Sequence, residues 1–359
     1  MLLHGIFPPI TTPFNHEGNI YYRKLEANVD HYCRGPVAGL VVQGSTGEAI
    51  LLSDQERRDV LKAARETATP DKVLIAGTGI ESAVETLRLT EYAAELGYDA
   101  AMVRTPHYYK GQMNRPQNML AFYRTVADRS PLPLIIYNFP QATGYDMPAE
   151  IAIELAEHRN IIGIKESSGS IEKVRKMVEG TSHIRRETTV TESFQAVTLR
   201  MMRNATAAAA GGEGELVTLG AARGVPGVKP SSAAVQDLGG LKMRQKEVGF
   251  QVLVGAAHKL QPSLDAGAVG AILAFACCAP TACFEIYAAW KERNDAVAQE
   301  KQQRIVEAAT KVVAEMSIPG VKHAMDLNGY YGGPVRLPLL PLDAQQKREV
   351  ERLMAGIKN

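Results

Sequence analysis

The sequence has almost no net charge, no paired-cysteine motif and no long apolar run, and each absence argues against a class of protein. Its 40 basic and 39 acidic residues leave a formal charge of +1, which disfavours nucleic acid and anionic membranes as partners. The 4 cysteines form no C-x-x-C pair, which favours buried, reduced thiols over a disulfide or zinc site. The longest apolar stretch, 266–282, is too short and mixed to span a membrane. No signal peptide is expected before the first strand, so we expect a cytoplasmic protein. We also expect that it needs no cofactor or metal.

Strand-like and helix-like segments alternate over most of the chain. Apolar, β-branched runs predict strands, and the amphipathic stretches between them predict helices. Strand-helix units recur at roughly 30-residue intervals, the size of a βαβ unit. The strands are apolar on both faces, which is typical of a parallel sheet covered by helices. The predicted strands are residues 5–12, 39–43, 72–77, 100–105, 132–138, 161–165, 250–255 and 268–274.

The starts of the helices carry their own signals. Ser53 with Glu56, and Ser82 with Glu85, have the spacing of a capping box. Pro148 suits the first turn of a helix, where no amide hydrogen is needed. The predicted helices are residues 22–34, 53–67, 82–96, 114–129, 148–157, 170–179, 259–265 and 281–294, with an appended helix at 300–316.

These elements predict an α/β fold, a (β/α)8 TIM barrel with a C-terminal helical extension. Fewer units would make an open doubly wound sheet, but no G-x-G-x-x-G segment follows the first strand, so its nucleotide-binding fingerprint is missing. The expected domains are a barrel over 1–280, interrupted by an insert at about 181–248, and a final barrel helix with a helical region over 281–359.

The segment 181–248 interrupts the alternation of strands and helices. It contains an alanine-rich run, scattered glycines and no tyrosine or tryptophan. Connections of that length are uncommon inside compact domains, so we interpret it as a surface excursion or partly disordered insert, in which 193–203 could form a helix. Since it follows the sixth helix and precedes the seventh strand, it should leave the barrel at its N-terminal face.

Polar residues follow the predicted strands at their C-terminal ends, where barrels of this kind carry their reactive groups. Lys165 ends an otherwise apolar strand, and burial disfavours a charged ammonium, which frees an amine to attack a carbonyl. The alternative is a structural lysine paired with its neighbour Glu166. Tyr137 ends the preceding strand, where its phenol could relay protons or simply pack with a hydrogen-bonded hydroxyl.

Two loops add further candidates. The segment Gly-Ser-Thr-Gly-Glu at 44–48 could hold a carboxylate with its hydroxyls and amides, although a plain glycine-rich turn is the alternative. The segment Thr-Pro-His-Tyr-Tyr at 105–109 could supply a second phenol. His107 shows no orienting partner in the sequence, which favours a structural hydrogen bond over a role as a base.

Together these segments resemble the dihydrodipicolinate synthase / N-acetylneuraminate lyase family. The matching motifs are Ile-Thr-Thr-Pro-Phe at 10–14, Gly-Ser-Thr-Gly-Glu at 44–48, Tyr-Asn-Phe-Pro at 137–140 and Gly-Ile-Lys-Glu-Ser at 163–167. The resemblance leaves out the insert. It implies a homotetramer, arranged as a dimer of dimers, that acts on a small 2-oxo acid.

The resemblance also implies roles for individual residues. Lys165 would form the imine with the substrate and Tyr137 would relay protons. Thr46 joins them in the expected catalytic set, together with Tyr109 (or its neighbour Tyr108) as a second tyrosine that reaches across a subunit interface. The expected substrate-binding residues are Ser45, Thr46, Gly47 and Ile272.

Departures from the synthase pattern concern the substrate. Ala142 stands where the synthases carry an arginine for the second substrate's carboxylate, and an alanine cannot clamp a carboxylate. The segments 105–113, 318–322 and 329–334 resemble 4-hydroxy-2-oxoglutarate aldolases. The resemblance therefore implies a class I aldolase that cleaves a 4-hydroxy-2-oxo acid to pyruvate and an aldehyde such as glyoxylate. The alternatives are a dihydrodipicolinate synthase-type condensation, a sugar-acid dehydratase or aldolase, a metal-dependent aldolase, and a non-catalytic barrel that binds 2-oxo acids.

Overall fold

A parallel barrel dominates the computed structural model, which describes residues 1–191, 195–210, 236–238 and 241–357. Its strands lie in the order β1-β11-β10-β6-β5-β4-β3-β2, and a parallel bridge between Pro9 and Val41 brings the two ends together. The predicted TIM barrel is therefore confirmed. In chain order the strands are β1 Gly5–Phe7, β2 Gly39–Val42, β3 Val73–Gly77, β4 Ala100–Arg104, β5 Leu134–Asn138, β6 Ile161–Glu166, β7 Arg186–Thr191, β8 Gln236–Leu238, β9 Leu241–Val248, β10 Gln251–Val254 and β11 Gly270–Ile272.

Helices cover the outside of the barrel and continue beyond its last strand. None of those in the described residues is long and apolar enough to cross a membrane. A π-helical turn, Ala309–Glu315, prolongs α12. The α-helices are α1 Tyr22–Arg34, α2 Asp54–Thr67, α3 Ala83–Leu96, α4 Lys110–Met113, α5 Pro116–Arg129, α6 Pro140–Thr143, α7 Ala149–Ala156, α8 Ile171–Gly180, α9 Leu199–Ala210, α10 Leu260–Asp265, α11 Pro280–Lys291, α12 Asp295–Ala308, α13 Ser317–Leu327 and α14 Ala344–Met354.

The three helix starts predicted from capping signals agree with the structure to different degrees. At α2, Ser53 and Glu56 make both bonds of a capping box. At α3, Ser82 accepts a bond from the amide of Glu85, but the Glu85 carboxylate pairs with Arg88 instead of returning to the cap. The prediction that Pro148 lies in the first turn of a helix is wrong. Its ψ of 145° is extended, so it caps α7 from outside.

The barrel separates two apolar clusters. The smaller one fills the interior, where side chains from alternate strand positions meet, and the larger one lies between the strands and the helices. This alternation decides which strand residues reach the mouth of the barrel and which face the helices. The interior cluster is formed by Leu3, Phe7, Val41, Val73, Ile75, Ala100, Met102, Ile135, Tyr137, Ile162, Met201, Leu253 and Ile272.

The segment 181–248 contains strands that the sequence analysis did not predict. β7, β9 and β8 form an antiparallel sheet, in which the alternating pattern of β7 buries Thr188 and Val190. Apolar periodicity is weak in β9, because its sequence Leu-Lys-Met-Arg-Gln-Lys-Glu-Val is mostly polar. The helix expected at 193–203 begins instead at Leu199, and residues 192–194 lie outside the described residues, as does the glycine-rich stretch 211–235.

Contacts from this segment lie at the N-terminal ends of the barrel strands. Arg200 forms a buried ion pair with Asp99 (3.1 Å) and donates to the carbonyl of Lys72, and these partners directly precede β4 and β3. Met201 joins the interior cluster. The contacts agree with the expected exit from the N-terminal face, away from the strand ends that would carry the chemistry.

Candidate active site

Two of the predicted catalytic side chains lie together inside the barrel. Tyr137 and Lys165 are partners in the register between β5 and β6, so both point to the same face of the sheet. The ammonium of Lys165 lies 4.0 Å from the centre of the Tyr137 ring. Both side chains are 4% exposed. The aromatic face stabilises the ammonium electrostatically without supplying a counter-charge.

Lys165 is not paired with its neighbour Glu166, the alternative left open by the sequence. Adjacent strand residues face opposite sides of a sheet, so Glu166 points outward. There its carboxylate pairs with Lys173 of α8 (3.1 Å) and accepts a bond from Asn138 (3.0 Å). Among the described residues, no ion pair involves Lys165. A buried lysine without a carboxylate partner is uncommon, which makes this position a candidate for a functional site.

The loop after β2 brings a hydroxyl to the phenol. The side-chain oxygen of Ser45 lies 3.3 Å from that of Tyr137, so a proton could pass between them. Ser45 and Thr46 open a short 3-10 turn, Ser45–Gly47, and the first amides of such a turn have no partner within it. These amides and hydroxyls suit a carboxylate.

A cavity of about 740 Å³ surrounds these groups at the C-terminal ends of the strands. That size accommodates a small-molecule substrate. The cavity walls come from the loops after β2, β3, β5, β6 and β10, from the π-helical turn and from the segment near Pro338. Its polar lining residues include Ser45, Thr46, Glu48, Arg57, Arg104, His107, Tyr137, Lys165, Ser167, Ser168, His258 and Lys259.

Positive charge predominates in this lining. Its carboxylate, Glu48, is already bound in an ion pair with Lys322 (2.5 Å), and Arg104 is paired with Glu81 (3.0 Å). Arg57, Lys165 and Lys259 belong to no ion pair among the described residues. The cavity therefore offers more than one cation to an anionic ligand.

Sequence comparison places this site in a known family. The sequence profile described as the dihydrodipicolinate synthetase family matches residues 2–208 and 214–357. The chain belongs to this family. A 4-hydroxy-tetrahydrodipicolinate synthase of Methanothrix thermoacetophila is 27% identical over 360 aligned positions, covering 100% of this chain and 98% of the relative. The enzyme of the same name from Methanosarcina barkeri is 37% identical over 180 residues, covering 50% and 60%.

Solved structures of dihydrodipicolinate synthetase family members share the fold. The dihydrodipicolinate synthase DapA-2 of Bacillus anthracis superimposes with a TM-score of 0.76 at 22% identity and covers 100% of both chains. YagE of Escherichia coli K12, solved in complex with pyruvate, gives a TM-score of 0.75 at 24% identity and covers 99% of each chain. A family protein from Coccidioides immitis gives 0.71 at 23% identity, covering 99% of this chain and 95% of its own.

Not every residue expected at the site faces the cavity. The amide of Gly47 bonds to Gly44, and its carbonyl accepts from Thr12 (2.6 Å), so both of its backbone groups are used within the loop. The Ile272 side chain lies in the interior cluster below the cavity. Tyr109 is 69% exposed and forms an edge-to-face pair with Tyr108, outside the cavity lining of its own chain.

The interpretation that His107 has no orienting partner is wrong. Its Nδ1 lies 2.6 Å from Glu81, whose carboxylate also pairs with Arg104 and accepts from the His107 amide. Glu81 lies in the loop after β3, so the contact joins two loops far apart in sequence. Partial burial and the nearby Arg104 lower the pKa of His107, with Glu81 opposing them, so the ring is neutral near pH 7.

The sequence analysis also missed how the C-terminal region holds the loop after β2. Glu48 has a φ of 53°, a conformation unfavourable for a residue with a side chain. Its carboxylate is held by Lys322 of α13 and by the amide of Arg336 (2.9 Å). Arg336 in turn pairs with Glu56 (2.7 Å) and lowers the pKa of that carboxyl to about 2. No local pattern in the sequence indicates contacts across such distances.

Proposed function

We propose that the protein is a class I aldolase, a carbon-carbon lyase that cleaves a 4-hydroxy-2-oxo acid to pyruvate and an aldehyde such as glyoxylate. The observation that carries this proposal is Lys165, buried without a carboxylate partner and held against Tyr137, whose hydroxyl contacts Ser45. The structural relative YagE is described in complex with pyruvate, which supports a 2-oxo acid as the ligand.

The first stage forms the imine. The substrate carboxylate binds the amides and hydroxyls of Ser45 and Thr46, which places its 2-oxo group at Lys165. The neutral amine of Lys165 attacks that carbonyl, and the resulting carbinolamine loses its hydroxyl as water when Tyr137 supplies a proton. The Ser45 hydroxyl is placed to donate a hydrogen bond to the phenolate that remains on Tyr137.

The second stage breaks the bond between C3 and C4. A base removes the proton of the 4-hydroxyl, and Tyr137 is the group placed to accept it. The electrons of the C3–C4 bond then move into the iminium, which leaves an enamine on Lys165 and releases the aldehyde. A proton added at C3 and a water added at C2 regenerate the free lysine and release pyruvate.

The charges of the cavity favour a dicarboxylate substrate. Lys165 is consumed in the imine, and Arg57 and Lys259 remain as cations without an ion pair among the described residues. The substrate 4-hydroxy-2-oxoglutarate carries two carboxylates, which these cations can compensate. A neutral sugar-acid tail would leave at least one of them without a counter-charge in a partly closed cavity.

Borohydride trapping with pyruvate tests the proposal directly. Reduction of an imine adds a stable adduct, and we expect its mass on the peptide that contains Lys165. The variant Lys165→Ala should show no adduct, while the matched variant of an exposed lysine of α2, Lys62→Ala, should still form one at Lys165. Binding of pyruvate without an adduct would instead support a non-catalytic barrel, and inactivation by a chelator would support a metal-dependent aldolase.

A second candidate is the condensation performed by the synthases, because several relatives carry that name. Ala142 lines the cavity and cannot bind a carboxylate, which disfavours this reaction. We expect purified protein to cleave 4-hydroxy-2-oxoglutarate and to leave aspartate semialdehyde unused. Productive reaction of pyruvate with aspartate semialdehyde alone would overturn the aldolase assignment while retaining the imine.

We also propose a cytoplasmic homotetramer. Tyr108 and Tyr109 are exposed in the loop after β4, at the end of the barrel that carries the cavity. A large exposed aromatic pair beside an active site favours contact with another protein surface. A second copy of the chain would cover it and bring a phenol to the neighbouring cavity.

A further inference from the structure

One cation of the cavity has no role in the imine chemistry. Lys259 lies at the end of a short 3-10 helix in the loop after β10, and its ammonium donates to the carbonyl of Gly169 (2.8 Å). An ammonium has more donors than this single bond uses. Lys259 belongs to no ion pair among the described residues and lines the cavity. Its charge is therefore available to a ligand.

The topology places Lys259 across the barrel from the turn that contains Ser45 and Thr46. β2, which leads into Ser45 and Thr46, and β6, which leads into Lys165 and Ser167, are separated by β3, β4 and β5 in the eight-stranded ring. They are therefore on opposite sides of the mouth, and β10, which precedes Lys259, lies next to β6. A substrate anchored at the turn extends toward the loops after β6 and β10.

The other cation without an ion pair, Arg57, lies at the end of the cavity that is formed by the segment after β2. Arg57 donates to the carbonyl of Ala49 (3.1 Å), and its own carbonyl accepts from Gln43. Both contacts belong to the segment that follows β2. Arg57 is therefore associated with the first carboxylate of the substrate and not with its far end.

We propose that Lys259 binds the distal carboxylate of the 2-oxo acid and selects dianionic over monoanionic substrates. This inference rests on the proposed function, since it takes the imine at Lys165 as the fixed point of the substrate. A charge-assisted contact discriminates strongly here, because a substrate that lacks the carboxylate leaves a partly buried ammonium without a counter-charge.

A comparison of two substrates tests the proposal. One is 4-hydroxy-2-oxoglutarate, and the other is 4-hydroxy-2-oxopentanoate, in which a methyl group replaces the distal carboxylate. We expect wild-type protein to prefer the dianion. Lys259→Met should lower kcat/KM for the dianion by about tenfold to a hundredfold, leave the monoanion unchanged and so abolish the preference. Lys259→Arg, which keeps the positive charge, should keep most of the preference for the dianion.

Control variants separate this role from others. Arg57→Met removes a cation at the near end and should change both substrates by the same factor, while Lys62→Met, an exposed lysine of α2, should change neither. The proposal is overturned if Lys259→Met affects both substrates equally, or if Arg57→Met is the variant that removes the preference.

Pyruvate trapping keeps this test apart from that of the proposed function. Pyruvate has no distal carboxylate, so Lys259→Met should form the borohydride adduct at Lys165 as readily as wild type, which also shows that the variant is folded. A variant that traps pyruvate normally and keeps its substrate preference disproves the role of Lys259 alone. Wild-type protein that forms no adduct disproves the aldolase itself.

Discussion

At the scale of single residues, the chemistry depends on which face of a strand each side chain occupies. Lys165 and Glu166 are adjacent, yet one points into the barrel and the other toward α8, where Lys173 neutralises it. Had Glu166 shared the inner face, it would form an ion pair with Lys165. The same alternation puts Tyr137 inside and Asn138 outside. Tyr137 therefore faces Lys165 within the barrel, and Asn138 donates to Glu166 on its outer side.

The first prediction concerns the hydroxyl of Tyr137. In Tyr137→Phe the ring that covers Lys165 and stacks on Phe139 remains, and only the oxygen that contacts Ser45 is lost. We expect kcat for aldol cleavage to fall by about 10²–10⁴-fold, the usual contribution of a positioned proton-transfer group, while pyruvate is still trapped on Lys165. Steady-state kinetics alongside trapping measures both; a variant that cleaves at the wild-type rate would contradict the relay.

At the scale of elements, the turn proposed to bind the substrate carboxylate is held by a part of the chain that contributes no strand to the barrel. The ion pair between Lys322 of α13 and Glu48 is fully buried, with the two side chains 1% and 0% exposed. The same ammonium donates to the carbonyls of Thr12 and Pro334 (2.9 and 2.8 Å). Burial lowers the pKa of Lys322, and the contact with Glu48 opposes that effect. The C-terminal region is therefore part of the site's scaffold.

The second prediction follows from that pair. Lys322→Met leaves the Glu48 carboxylate buried without its cation, and we expect the free energy of unfolding to fall by about 3–5 kcal/mol. The KM for the substrate should rise, because the turn that binds its carboxylate loosens. Denaturant titration and steady-state kinetics provide the two readouts.

Two further variants make this test specific. The double variant Glu48→Gln with Lys322→Met should recover part of the lost stability, since no uncompensated charge remains. Lys301→Met breaks a half-exposed pair with Glu285 and should cost less than about 1 kcal/mol. If Lys322→Met unfolds at the same denaturant concentration as wild type, the pair does not hold the loop.

At the scale of the whole molecule, the site is open where Tyr108 and Tyr109 project away from their own barrel. Their side chains are 74% and 69% exposed, and the backbone of the loop is held by Glu81, which accepts from the amides of His107 and Tyr108. A fixed loop that exposes two aromatic rings suits an interface. If Tyr109 acts in catalysis, it must therefore do so in the cavity of a neighbouring subunit.

The third prediction tests this assembly. Subunits of Lys165→Ala and of Tyr109→Phe should each be nearly inactive, because one lacks the imine-forming amine and the other lacks the phenol given to its neighbour. Mixed by co-expression, they should recover up to about a quarter of the wild-type activity, since an interface of this kind pairs an intact lysine with an intact tyrosine. Activity that stays at the level of the separate variants, or a monomer in sedimentation, would exclude a shared site.

Much of the barrel was predictable from the sequence because its signals are local. Seven of the eight barrel strands lie within predicted runs, and β6 extends one residue beyond its run. α1 has the predicted limits, Tyr22–Arg34, because apolar periodicity and helix caps are read over a few residues. The strands β7 and β9 were missed for the corresponding reason. Their sequences are mostly polar, and they pair with each other across about fifty intervening residues, which no local pattern reports.

The sequence by itself determined the fold class, the family and the pair Lys165 and Tyr137, because strand-end positions in a parallel barrel converge on one mouth. Only the tertiary structure decided what surrounds that pair. The partners of Glu166, His107 and Glu48, and the unpaired charge of Lys259, depend on contacts between loops that are distant in the chain. Such contacts arise when the barrel closes, so the electrostatics of the site belong to the folded molecule and not to any segment of it.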